Sequence, residues 1–248
     1  MKNNLIIYMV THNEKCDYID DYIIPIQVGK ALNKEQFEEI VDSTGDNISL
    51  KNKSFCELTA LYWIWKNADY EHVGLYHYRR RFALSKNQAM NILADKDIIL
   101  PKKKTFRMSV EEQYIKEHSE NNWKVMMDIL KEYYPKYYEF SKEVFGNNVL
   151  YMYNMFVMNK HIYDKYCEWL FPLLFKVEER LKDVKRDNYQ NRYIGFMAER
   201  LFTLYIKYNK LNTCETDVLF INSKVKFINI KNMINNTIFK NKKLMGRK

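Results

Sequence analysis

A chain of 248 residues with 47% apolar content can bury one core without needing a second domain. Its net charge of +9 suggests nucleic acid until it is located: eight Lys and Arg and no Asp or Glu follow Ile221, which leaves nine minus eight, +1, for the rest and counts against a nucleic-acid-binding body. Cys16, Cys56, Cys167 and Cys214 lie far apart with no C-x-x-C pair, against a zinc site or a redox dithiol and in keeping with thiols in a reducing compartment.

In chain order, Asn4 to Val10 is a short apolar run with a polar sequel, unlike a signal peptide, and predicts a first strand. Thr44-Gly45-Asp46-Asn47-Ile48-Ser49 predicts a turn feeding a helix, where backbone N–H groups and the Asp and Asn side chains can meet a polar ligand. Ser54-Phe55-Cys56-Glu57 has the S-x-x-E form of a capping box, and Leu58, Leu61, Tyr62 and Trp65 follow at helical spacing, so a helix is expected over about 55–67. His72 to Tyr78 predicts a strand ending in Arg79-Arg80-Arg81, where a parallel α/β sheet opens onto its ligand crevice. Guanidinium pairs bidentately with phosphate, so Arg79 and Arg80 favour an anionic ligand; a surface cluster paired with Asp69 and Glu71 is the alternative.

Asp97 to Leu100, closed by Pro101, and Tyr151 to Met158 predict further strands, and Asn121 to Phe145, interrupted at Pro135, predicts two helices over the sheet. Asp187-Asn188-Tyr189-Gln190 reads as a second capping box, followed by a stripe of Ile194, Met197, Leu201, Leu204, Tyr205 and Tyr208 that predicts a long helix. The opposite face carries Arg192, Gly195, Phe196, Glu199 and Thr203. It suits a cleft wall where Gly195 admits a ligand or another backbone, with an ordinary solvated face as the alternative.

Short apolar runs alternating with helical stretches predict one α/β domain over residues 1–221, a mostly parallel central sheet flanked by helices. Residues 222–248 interleave cations with Val225, Phe227, Ile230, Ile238 and Phe239, which suits an anionic membrane surface; a frayed basic terminus is the alternative. No stretch approaches the roughly 18 apolar residues of a spanning helix. The expected location is cytoplasmic, peripheral on the inner face of the membrane.

The strings Thr11-His12, Pro25-Ile26-Gln27-Val28-Gly29, Thr44-Gly45-Asp46-Asn47-Ile48-Ser49, Cys56-Glu57-Leu58-Thr59-Ala60-Leu61-Tyr62-Trp63 and Val73-Gly74-Leu75-Tyr76-His77-Tyr78-Arg79-Arg80 occur in that order. With Asp97-Ile98-Ile99-Leu100-Pro101, Tyr153-Asn154-Met155-Phe156-Val157-Met158 and Arg192-Tyr193-Ile194-Gly195-Phe196-Met197-Ala198-Glu199-Arg200-Leu201, the chain resembles a family of small bacterial glycosyltransferases. That family was long catalogued only as a domain of unknown function and occurs in capsule, exopolysaccharide and lipopolysaccharide gene clusters. The resemblance spans roughly residues 5 to 220.

The resemblance implies a GT-A-like fold, a UDP-linked hexose donor, often galactose in pyranose or furanose form, and a lipid-linked saccharide acceptor. On it, Thr11, His12, Gly45, Asp46, Asn47, Glu57, Thr59, His77, Arg79 and Arg80 are expected at the donor, and Asn154, Arg192 and Gly195 at the acceptor. The order of the last strings is similar to inverting enzymes whose base stands at a helix start, which makes Glu199 the expected base, with Asp187 and Glu57 next. GT-A enzymes commonly hold a metal with D-x-D at the end of a central strand, where this chain reads His77-Tyr78-Arg79, so no metal ligands are assigned. No tightly bound cofactor is expected, and Arg79 and Arg80 are expected to neutralise the diphosphate. A noncatalytic sugar- or nucleotide-binding scaffold of the same fold and a nucleic-acid-binding protein are the alternatives from other classes.

Overall fold

The computed structural model describes residues 5–12, 15–16 and 20–221. The basic segment 222–248, with its expected membrane contact, lies outside the described residues. Strands are β1 (Leu5–Thr11), β2 (Ile23–Gln27), β3 (His72–His77), β4 (Arg80–Phe82), β5 (Ile98–Pro101), β6 (Lys104–Thr105), β7 (Val149–Leu150), β8 (Phe156–Asn159), β9 (Thr213–Thr216) and β10 (Val218–Phe220). Helices are α1 (Asn52–Phe55), α2 (Leu58–Asn67), α3 (Lys86–Leu93), α4 (Val110–Glu117), α5 (Glu120–Tyr133), α6 (Pro135–Gly146), α7 (Lys160–Leu181) and α8 (Tyr193–Tyr208).

The main sheet follows the order β2-β1-β3-β8-β5-β9, and β4 joins the last residue of β3 and carries β10. Strands β1, β2, β3, β5, β9 and β10 share one direction, while β4 and β8 oppose them, so the sheet is mostly parallel with helices on its faces. All seven residues of β1 are buried. Its alternation still sorts them: Leu5, Ile7 and Met9 enter the smaller core beneath α3, and Ile6, Tyr8 and Val10 enter the larger core beneath the other helices. Each such side chain, fully buried, stabilises by about 1.5–3 kcal/mol. Gly74 sits where β3 is squeezed between β1 and β8: a Cβ there would lie 2.9 Å from Ile7 Cγ1 and 3.0 Å from the Phe156 carbonyl oxygen.

Pro135 starts α6 at its first turn, where its missing N–H costs nothing, and separates it from α5 as expected. Capping boxes close at Ser85 with Gln88 and at Ser109 with Glu112, ahead of α3 and α4. The box expected at Ser54 and Glu57 does not form. Cys56 takes φ 51°, ψ −129°, which breaks the helix between α1 and α2, and the Ser54 hydroxyl donates to the Lys51 carbonyl instead. At the second expected box, Asp187 Oδ1 does accept from the Gln190 N–H, at 2.7 Å. Gln190 reaches away to the Glu117 carbonyl oxygen, however, and a short 3-10 turn delays α8 to Tyr193. Tyr151 to Met155 is no strand: Tyr153 and Asn154 take φ 79° and 49°, and β8 begins only at Phe156. Among the described residues no helix is long and apolar enough to cross a membrane.

Candidate active-site cleft

The registers Val10↔His77 and Thr11↔Gln27 put the carboxyl ends of β1, β2 and β3 on one edge of the sheet. That edge opens onto a cleft of about 740 Å³, the position where parallel sheets bind ligands. The strand ends give it His12, His77, Tyr78 and Arg80, the broken α1–α2 junction gives it Cys56 and Glu57, and α8 faces them with Arg192, Phe196 and Glu199.

The turn at Tyr153 and Asn154 ties these walls together. Its left-handed backbone aims the Tyr153 N–H at Glu199 Oε1, 2.7 Å away, while the Tyr153 carbonyl accepts from His77 Nε2–H at 2.7 Å. The Tyr153 ring lies under the Arg80 guanidinium, 4.6 Å from its centroid, and Phe220 flanks the same guanidinium at 5.6 Å. Asn154 is 2% exposed; its Nδ2 donates to Glu57 Oε1 at 2.8 Å and more weakly to the Gly195 carbonyl at 3.4 Å. Two residues in costly conformations thus place two carboxylates, an imidazole and a guanidinium around one space.

Glu199 is largely enclosed, its side chain 12% exposed. Burial raises its carboxyl above the ordinary range, opposed by Arg200, whose NH1 donates to Oε2 at 3.1 Å, and by the Tyr153 N–H. Each carboxylate oxygen keeps a lone pair for a further donor. Arg200, itself 2% exposed, also donates to the Phe196 carbonyl at 2.8 Å and to Gln113 Oε1 at 2.5 Å. Cys56 lines the cleft as a thiol: burial, then Glu57, push it up to about 12 against the opposing contact from Arg192 Nε at 3.4 Å, so it is no thiolate nucleophile. His118 is held neutral, lowered to about 4 by burial and then by the nearby Arg200.

His12, Glu57, His77, Arg80, Arg192, Gly195 and Glu199, all expected site residues, therefore line one cleft. Gly195 faces Cys56, where a Cβ would sit in ordinary contact 3.4 Å from Sγ, so its open side is taken by Cys56 rather than left for a ligand. Others stand apart. Gly45, Asp46 and Asn47 form a turn against α2, in which Asp46 accepts from the Tyr62 hydroxyl and from Asn67 Nδ2, and Asn47 Nδ2 donates to the Gly45 carbonyl. Their polar groups fasten the turn and do not reach the cleft, contrary to expectation. Thr59 is buried, bonded to Asn52 and the Cys56 carbonyl; Thr11 is buried in β1; and Arg79 is exposed, its guanidinium 4.7 Å from the Tyr78 ring centroid. Asn154 supports the site from behind, and Asp187 caps its own turn away from the cleft.

Tyr153 and Arg200 lie within the family strings, but sequence reasoning gave neither a place in the site. Arg200 leaves a trace as the one cation between Gly195 and Tyr205, whereas Tyr153 acts through its backbone and leaves none. Among the described residues no three His, Cys, Asp or Glu side chains gather in a group able to hold a metal.

The chain matches a family model described as "Domain of unknown function (DUF4422)" over residues 6–210. No curated protein matches. A solved structure described as the apo form of WbbM, a bifunctional glycosyltransferase, superposes with a TM-score of 0.81 at 29% identity, over 89% of this chain. This chain spans 46% of that longer one.

Proposed function

The chain belongs to the family described as domain of unknown function DUF4422, and from that premise and the chemistry of its cleft we propose that it is a glycosyltransferase. In this reading a hexose, galactose in pyranose or furanose form being the first choice, moves from a UDP-sugar to a saccharide acceptor carried on a lipid during assembly of a surface polysaccharide. The observation that carries the reading is Glu199, a buried carboxylate held by the Tyr153 N–H and Arg200 in the same cleft as His77 and Arg80. Likeness to a bifunctional glycosyltransferase at 29% identity supports the same class.

The proposed chemistry is an inverting displacement. The acceptor hydroxyl oxygen attacks the anomeric carbon from the face opposite UDP, its proton passes to Glu199, the glycosidic bond to the diphosphate breaks, and UDP leaves with the electron pair. Burial that raises proton affinity favours a carboxylate in this task. Arg80, backed by the Tyr153 and Phe220 rings, takes the growing charge on the diphosphate, a part that a metal plays elsewhere. Arg79 is a second, outer cation. The basic segment 222–248 is proposed to hold the protein on an anionic membrane surface near its acceptor.

A thermal-shift screen of nucleotide sugars tests the class. UDP-sugars should raise the melting temperature in a concentration-dependent way, and one of them should release UDP on incubation with the enzyme. Equal response to all nucleotides, with no UDP release from any, would leave a scaffold of the same fold.

A further inference from the structure

Tyr189 stands on the α8 wall of the cleft and is 55% exposed, unusual for a ring whose backbone is so firmly held. Its turn is fixed by the Asp187 cap on the Gln190 N–H and by Gln190 Nε2 on the Glu117 carbonyl, 3.0 Å away. Behind it the rings are already paired: Phe196 stacks on His118 at 4.1 Å and 17°, and Tyr189 leans on Phe196 at 5.2 Å. The neutral state of His118 keeps charge out of this stack. Asn188 and Asn191 flank Tyr189 on the same wall, and no hydrogen bond within the described residues occupies either side-chain amide.

We infer that Tyr189 is the outer acceptor subsite, a stacking face for the second sugar ring of a saccharide at least two units long. This rests on the glycosyltransferase reading above. An aromatic face rimmed by amides matches the chemistry of a sugar ring, whose C–H face is apolar and whose edge carries hydroxyls; a lipid chain would waste the amides. Position sets the length. Phe196 and Glu199 are one turn apart on α8, about 5 Å, and the Tyr189 ring centroid lies 5.2 Å from that of Phe196. The sugar that gives its hydroxyl to Glu199 fills the inner space, so the ring on Tyr189 is its neighbour. The platform comes from the turn that precedes α8, whereas Arg80, assigned to the donor, comes from β4 at the strand ends.

The test uses the full chain with UDP-galactose and the other UDP-hexoses, measuring UDP release with water, with octyl monosaccharides, and with octyl disaccharides of galactose, glucose, mannose and N-acetylglucosamine. At least one disaccharide should accelerate release tenfold or more over its matching monosaccharide. In Tyr189→Ala the half-saturating concentration of that disaccharide should rise about tenfold, the loss of one aromatic stacking contact, with kcat within twofold; Tyr189→Trp and Tyr189→Phe should restore it. Equal use of mono- and disaccharides, no stimulation by any disaccharide, or an unmoved half-saturating concentration overturns the inference. Weakened UDP affinity in Tyr189→Ala overturns it too, since the ring would then hold the nucleobase. Absence of UDP release from every UDP-hexose under all conditions in the wild type instead removes the glycosyltransferase reading itself.

Discussion

Replacing Arg200 by Met keeps most of the aliphatic stem and removes the cation that faces Glu199 in a nearly closed space. Side-chain exposures of 2% and 12% make this a buried pair, and removal of one partner leaves a desolvated carboxylate bonded only to the Tyr153 N–H. Breaking such a pair costs about 3–5 kcal/mol. The sign of its pH dependence follows from Glu199, whose folded carboxyl already titrates above the ordinary range because of burial. A group raised on folding binds more protons in the folded state, so its contribution falls as pH rises from its unfolded value through its folded one. Arg200 limits that loss in the wild type, and without it the folded value climbs further. Urea unfolding of Arg200→Met should therefore show its full deficit near pH 7 and a smaller one near pH 5, where Glu199 takes up its proton. Adding Glu199→Gln should return much of the stability at pH 7. A deficit of the same size at both pH values, or one below about 1 kcal/mol, would show that Arg200 acts by packing alone.

Arg80 lines the cleft and Arg79 does not. Arg80→Ala should accordingly weaken UDP binding by about 1.5–3 kcal/mol in calorimetry, with a smaller effect from Arg79→Ala; equal losses would contradict the geometry. Gly74→Ala forces a Cβ against Ile7 and the Phe156 backbone and should destabilise by roughly 1–3 kcal/mol in denaturant, while a neutral result would mean that β1 and β8 yield. Deleting residues 222–248 should release the protein from phosphatidylserine vesicles, a binding that salt should also reverse, and equal binding by both chains would remove the membrane role of the segment.

The sheet is legible where both of its faces are buried. β1, β3 and β5 announce themselves as apolar runs, and Pro101 and Pro135 mark ends that the structure keeps. α7 is hidden because Pro172 stands in its middle, where proline ordinarily signals a stop. The cleft wall is half legible: a face bearing Arg192, Phe196 and Glu199 opposite an apolar stripe reads equally as a cleft wall or a solvated face, and the fold turns these residues into the cleft. What stays unreadable depends on contacts distant in sequence. Glu57 has the spacing of a cap residue yet is claimed by Asn154, 97 positions away, and Tyr153 looks like a strand residue while its backbone turns to meet Glu199. Gly45 to Asn47 mislead in the opposite way: a turn rich in polar groups resembles a ligand loop until Tyr62 and Asn67 are seen to use them.

The central claim is that Glu199 accepts the acceptor proton. Glu199→Gln preserves shape and removes basicity, so the decisive measurement is hexose transfer from the UDP-sugar that releases UDP, taken together with calorimetric UDP affinity, for the wild type and this variant. The account predicts a fall in kcat of about 10²–10⁴-fold with UDP affinity at the wild-type value. Near-normal turnover, or loss of donor binding and folding together, would contradict it and make Glu199 a structural carboxylate.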